Sequence, residues 1–169
     1  LTFVSTETTI VSVETRTDRN QAISGIEAHL GFWLRRVSNN VSSSFVRSLK
    51  DRQASAAEWV LLRELYGRGE ATPKDMAETL AMTRGAVSKI VDKLEAKGWI
   101  AVRSAPSDGR VQVLSLTQSG RRFVPVLARI ADQNDERFFR CLAASERDVL
   151  GKLLVKLAEC NQIRDIPVQ

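Results

Sequence analysis

Apolar positions recur at helical spacing over most of this chain, with one interval in which the repeat shortens to two. Ile23, Ile26, Leu30, Trp33, Leu34, Val37, Val41, Phe45 and Leu49 trace a long amphipathic helix. Ser55-Ala56-Ala57-Glu58 has the form of a capping box and opens a second helix through Trp59, Val60, Leu61, Leu62, Leu65 and Tyr66, which ends at Gly67-Arg68-Gly69. Thr72 is a good N-cap and Pro73 suits a first helical position. Asp75 in that first turn favours the positive helix end, and Met76, Ala77 and Leu80 give a short apolar stripe. Ala81-Met82-Thr83 predicts a tight turn with Thr83 capping the next helix. There Val87, Ile90, Val91 and Leu94 recur at spacings of three and four, and Gly98 falls where a left-handed residue is wanted.

The period then changes. Trp99 to Arg103 and Val111 to Leu116 are rich in branched apolar residues, and the turn formers Ser104 to Arg110 lie between them, so a two-stranded ribbon is predicted. Thr117 caps a further helix carrying Phe123, Val126, Leu127, Ile130, Phe138 and Leu142, interrupted by the polar run Asp132 to Arg137. Pro125 is expected to kink that helix or delay its start. A last helix from about Ser145 is expected to bury Val149, Leu150, Leu153, Leu154 and Leu157.

Helix, tight turn, helix and ribbon in this order make a winged helix-turn-helix. The fold class expected is mainly α with a small β-wing, flanked by long N- and C-terminal helices. Residues 1–20 suit an extended or flexible arm, 21–52 an N-terminal dimerisation helix, 53–120 the winged helix-turn-helix, 121–160 C-terminal dimerisation helices and 161–169 a loose tail. One winged helix does not need so many additional helical residues to bury its core. The economical partner for the outer helices is a second copy, which would set two recognition helices about 34 Å apart along DNA. A larger helical domain within one chain is the alternative.

Charge sharpens this picture. Of the net +5, residues 72–122 carry nine Lys/Arg against five Asp/Glu, whereas 1–71 carry nine against eight and 123–169 seven against seven. The excess falls on the helix-turn-helix and wing, as contact with phosphates requires. A single histidine, His29, and two distant cysteines, Cys141 and Cys160, form no metal-ligand spacing, nucleophile elbow or disulfide framework. Neither a Walker sequence nor a glycine-rich dinucleotide turn occurs, so no enzymatic activity, catalytic residue, metal or cofactor is expected. No apolar run approaches the roughly eighteen residues of a membrane span, and a cytoplasmic protein without membrane partners is expected.

Asp108-Gly109-Arg110 followed by Leu114, Leu116, Thr117 and Gly120 resembles the D-x-R-x-x-x-L-x-L-T-x-x-G wing signature of MarR-type transcription factors. Ala86 to Gly98 is similar to that family's recognition helix. The likeness runs from about Ile23 to Cys160. It implies a homodimer that binds a pseudo-palindromic operator in double-stranded DNA and often releases it when a small molecule or oxidant arrives. Many members carry a hydroxyl residue where Gly85 and Ala86 stand here, which shifts base reading toward Arg84, Ser88 and Lys89. On this reading Thr83, Ser88 and Lys93 touch phosphates, Arg84 and Lys89 reach base edges, and Arg110 enters the minor groove with Asp108 holding its guanidinium. A protein-interaction module that presents the same basic face to an acidic partner is the competing function.

The resemblance also places the first two helices and the fifth around a ligand cleft. Phe32, Trp33, Phe45 and Trp59 are four of the ten aromatic residues and lie within one short stretch. With His29 and the nearby Arg35, Arg36 or Arg63 they suit a small aromatic acid as effector. The structural reading of His29 is a partly buried residue at the dimer interface. The family's peroxide sensors use a cysteine near the start of the first helix. None stands there, so oxidant sensing of that kind is not expected.

Overall fold

The structure is a computed structural model in which residues 23–105 and 108–163 are described, the side chains of 108 and 109 excepted. The expected N-terminal arm and the tail beyond 163 lie outside these residues. The chain divides into two compact units, Leu1–Arg35 and Arg36–Gln169, with the boundary inside the first long helix, α1 (Leu30–Lys50).

In the first unit the predicted helix begins later than its apolar period. A 3-10 turn, Ile26–Ala28, comes first, and His29 is extended (φ −95°, ψ 122°). The Trp33 indole N–H donates to the Glu27 carbonyl at 2.8 Å, occupying an oxygen that a continuous helix would have offered to residue 31. His29 is exposed within the single chain and its Nε2 lies 3.2 Å from Ser24 Oγ; the burial expected of it was against a second copy. Phe32 and Trp33 meet edge to face at 5.3 Å.

The second unit holds the rest of α1, then α2 (Ala56–Arg68), β1 (Glu70–Ala71), α3 (Pro73–Thr79), α4 (Arg84–Ala96), β2 (Ile100–Ala105), β3 (Asp108–Leu116), α5 (Gln118–Phe139) and α6 (Ala144–Cys160). The predicted capping box of α2 forms, and the expected Thr72 cap of α3 also closes as a capping box. Ser55 Oγ accepts the Glu58 N–H while Glu58 accepts the Ser55 N–H, and Thr72 and Asp75 do the same for α3. The Asp75 carboxylate takes both the Thr72 N–H (2.9 Å) and its hydroxyl (2.8 Å), and these bonds hold its pKa below the ordinary aspartate value. This contribution is present at neutral pH and is lost as the pH falls through the lowered pKa.

The ribbon gains a third strand that the sequence pattern does not predict. The sheet is antiparallel in the order β1-β3-β2, with Glu70 opposite Ser115 and Ala71 opposite Leu114. Two residues carry too little periodicity to announce a strand. The other two strands extend further toward the ribbon tip than expected, to Ala105 and back to Asp108. Pro125 neither delays α5 nor ends it: the helix runs from Gln118 through Pro125, which is exposed.

The core collects a stripe from every helix of the second unit but α6 and from the sheet: Leu49 from α1, Leu61, Leu62 and Leu65 from α2, Met76 and Leu80 beside α4's Val87, Val91 and Leu94, Ile100, Leu114 and Leu116 from the sheet, and Val124 and Leu127 from α5. The expected buried face of α6 is not buried within the chain. Val149, Leu153, Leu154 and Leu157 are 43–54% exposed, because no described element of the single chain covers them.

The junction of α4, the sheet and α5 is tightly built. Gly98 turns the chain at φ 69°, and Trp99 follows, its ring stacked on Phe123 at 4.3 Å. Thr117 caps α5 through the Gly120 N–H (3.0 Å) while its hydroxyl donates to the Gly98 carbonyl (2.7 Å) and its N–H to the Trp99 carbonyl (3.1 Å). A Cβ on Gly120 would stand 2.0 Å from that Trp99 oxygen. The obstacle is backbone, so the helix itself must shift. Gly120→Ala is therefore expected to destabilise by about 2–3 kcal/mol, lowering Tm by roughly 5–10 °C in thermal unfolding. An unchanged Tm would mean that the α5 start is not pinned against Trp99.

Candidate nucleic-acid interface

α3, the turn and α4 form the helix-turn-helix. Ala81 takes the left-handed conformation (φ 48°) that reverses the chain, and the Met82 N–H closes the turn on the Ala77 carbonyl at 2.9 Å. Thr83 then caps α4, its Oγ1 accepting the Ala86 N–H at 3.2 Å, which leaves the hydroxyl proton available to donate outward. Val87, Val91 and Leu94 are buried, and their burial turns the opposite face to solvent. Arg84, Ser88, Lys89 and Lys93 all lie on this exposed face, with Asp92 among them. No acidic residue occupies the first turn of α4, so Arg84 adds to the positive end of the helix rather than neutralising it.

The wing is the β2–β3 ribbon. Its register is regular from Ile100 opposite Leu116 to Ser104 opposite Gln112, then jumps so that Ala105 faces Asp108. Gly109, Arg110 and Val111 are thus an insertion in β3 near the tip, which bends the strand and re-aims what it carries. Arg110 is exposed there. The expected pairing of Asp108 with Arg110 lies outside the described residues, since the Asp108 side chain is among those not described. Arg103 does not join this tip: its guanidinium is held at 2.6 Å by both oxygens of Glu70 on β1.

Residues predicted to surround an effector are distributed over both units. His29, Phe32 and Trp33 belong to the first. In the second, Trp59 lines a cleft of about 310 Å³ with Val41, Phe45 and Val60, and its polar lining is Ser42, Asn134 and Asp135. Arg63 is exposed one turn further along α2 and does not line it. Asn134 is buried, its amide N–H donating to the Val41 carbonyl at 3.3 Å, and Arg137 is tied to Ser44 Oγ at 2.7 Å. Burial pushes the Asp135 carboxyl up from the ordinary aspartate value, and neighbouring Asp132 adds to the shift. Sequence reasoning missed Asn134 and Asp135; they fall in the polar run that interrupts the α5 stripe.

It also missed the partner of Glu58. Lys97, the C-cap of α4, reaches this buried carboxylate at 2.7 Å across thirty-nine residues of sequence and also donates to the Gln53 carbonyl at 2.7 Å. The capping box signals the acid, but nothing local signals the lysine.

A short helix-turn-helix with an outward basic face, followed by a two-stranded wing whose β3 also pairs with β1, defines the winged-helix class of DNA-binding regulators. Comparison with known proteins narrows the class. The MarR family profile matches residues 54–111. The HTH-type transcriptional regulator YkoM of Bacillus subtilis is 29% identical over 121 residues, spanning 72% of this chain and 79% of that protein. The structure of BpsR from Bordetella bronchiseptica, described as regulated in DNA binding by 6-hydroxynicotinic acid, superposes with a TM-score of 0.70 at 26% identity, covering 80% of this chain and 97% of that one. A mutant of MarR from E. coli complexed with operator DNA has a TM-score of 0.67 at 23% identity, covering 76% and 92%. Residues 54–111 therefore resemble the MarR family, and the fold is that of winged-helix transcriptional regulators.

Proposed function

We propose that this chain is a homodimeric repressor that reads a pseudo-palindromic operator with α4 in successive major grooves and Arg110 of the wing in the minor groove. The observation that carries this reading is the outward face of α4, on which Arg84, Ser88, Lys89 and Lys93 are all exposed behind a capped, positively charged helix start. Thr83, Ser88 and Lys93 take phosphates; Arg84 and Lys89 take base edges. Arg84→Ala should then relax preference at one position of each half-site, at about 1–3 kcal/mol, and leave nonspecific binding nearly unchanged. Arg110→Ala should weaken cognate and scrambled duplexes alike and flatten the log–log salt slope by about one charge. Titrating both variants against the two duplexes at two salt concentrations checks the docking. The opposite pattern would exchange the two grooves, and a wild-type protein with no affinity for either duplex would favour the protein-interaction module.

Dimerisation is supported by α6, whose exposed Val149, Leu153, Leu154 and Leu157 lie on a helix with no buried residue. Such a face is stable in water only when covered. The wild-type protein should sediment near twice 18.8 kDa, and Leu153→Asp should shift it toward the monomer. A monomeric wild type at micromolar concentration would contradict the two-helix docking.

The cleft beside Trp59 is proposed to take a small aromatic effector that releases the operator, and the regulation of BpsR by 6-hydroxynicotinic acid supports an aromatic acid. An anion enters more readily when Asp135 is protonated. Affinity for such an acid should rise as the pH falls from neutrality toward the raised pKa of Asp135. Asp135→Asn should tighten binding at neutral pH and remove that dependence, and Trp59→Ala should abolish the ligand-induced rise in Tm. A panel of aromatic acids producing no Trp59-dependent rise would remove the effector from the proposal.

A further inference from the structure

The recognition helix is secured at its C-terminal end by an arrangement that neither stability nor capping alone explains. Glu58 is 3% exposed, and its two oxygens serve two helices. Oε2 accepts the Ser55 N–H at 2.8 Å and so closes the α2 capping box, while Oε1 accepts Lys97 Nζ at 2.7 Å. The same ammonium donates to the Gln53 carbonyl at 2.7 Å and lies 4.9 Å from the centre of the Trp99 ring. Lys97 is the α4 C-cap, its own N–H still bonded to the Lys93 carbonyl at 3.1 Å, so the held ammonium tethers the last turn of α4.

Burying an ion pair costs desolvation that its attraction scarcely repays, and an apolar pair of like volume would hold two helices together as well. An ion pair with further hydrogen bonds adds direction: carboxylate, carbonyl and indole face admit one position for the lysine. A directional bond at the α4 C-cap constrains the rotation of α4 about its buried stripe in addition to its apolar contacts. Base reading depends on that rotation, since side chains at 84 and 89 must meet base edges at hydrogen-bond distance.

We propose that Glu58 and Lys97 are positioning residues that set the angle at which α4 is presented, and hence its sequence discrimination, without touching DNA. The inference rests on the reading above that α4 lies in the major groove. It assigns specificity to a pair outside the exposed face.

The test uses the full-length protein, a duplex enriched by in vitro selection with the wild type, and a scrambled duplex of equal length. Binding is measured at two salt concentrations for the wild type, Glu58→Gln, Lys97→Gln, the double variant and Lys97→Arg. Glu58→Gln keeps an oxygen for the Ser55 N–H and removes only the ion pair. Lys97, whose side chain is 30% exposed, is the gentler site should Glu58→Gln fold poorly. Each glutamine variant is expected to lower the cognate-to-scrambled ratio about tenfold, with scrambled affinity and salt slope unchanged. The double variant should lose no more than either single one, and Lys97→Arg should restore most of the ratio. A preserved ratio with lowered Tm would overturn the proposal, because the pair would then only stabilise the fold. A salt slope reduced by about one in Lys97→Gln but not in Glu58→Gln would also overturn it, since Lys97 would be touching phosphate directly. A wild type that selects no sequence would instead reject the DNA reading on which the inference stands.

Discussion

The structure depends on how the chain leaves α4. Three residues, Lys97, Gly98 and Trp99, convert α4 into the wing, and each is held by a different part of the molecule. Lys97 is fixed by Glu58 and the Gln53 carbonyl, the Gly98 carbonyl by the Thr117 hydroxyl, and the Trp99 carbonyl by the Thr117 N–H, with Gly120 pressed against it. The wing signature by which this chain resembles MarR-type regulators thus has a physical basis at its end. Thr117 is required as a residue that caps one helix while bonding the end of another, and Gly120 as the residue without a side chain where α5 meets backbone. Helix and wing, the two elements proposed to face DNA, are referred to one fixed point.

The same geometry connects the exposed basic face with the cleft. α2 supplies Ala56, Trp59 and Val60 to the cleft and, between them, Glu58 to Lys97. One helical turn therefore borders the space proposed for an effector and grips the end of the helix proposed to read DNA. An effector that favoured a slightly different α2 position would act on α4 through this turn. Such a ligand can shift the equilibrium only by the difference in its affinity for the two positions.

Much of this was legible in the sequence wherever the signal is local. Both capping boxes, the Thr83 cap, the positive φ of Gly98 and the exposed face of α4 follow from residue types within a few positions of one another. Three things were not legible. β1 is two residues long and is defined only by its pairing with β3. The late start of α1 depends on the Trp33 indole capturing the Glu27 carbonyl, which an apolar period cannot announce. The α6 stripe was correctly apolar, yet periodicity tells that a face is to be covered and not what covers it; no described element of one chain does so. At the cleft, Trp59 was legible as an aromatic at helical spacing, whereas Asn134 and Asp135 took their roles from packing between α1, α2 and α5.

The most direct test is a dimethyl sulfate footprint of the wild-type protein on a duplex enriched by selection, because methylation reports guanine N7 in the major groove. Two protected patches on one face of the duplex, centred about 10 base pairs apart, are expected from a two-fold pair of α4 helices. A single patch, or binding that leaves every major-groove N7 reactive, would contradict it.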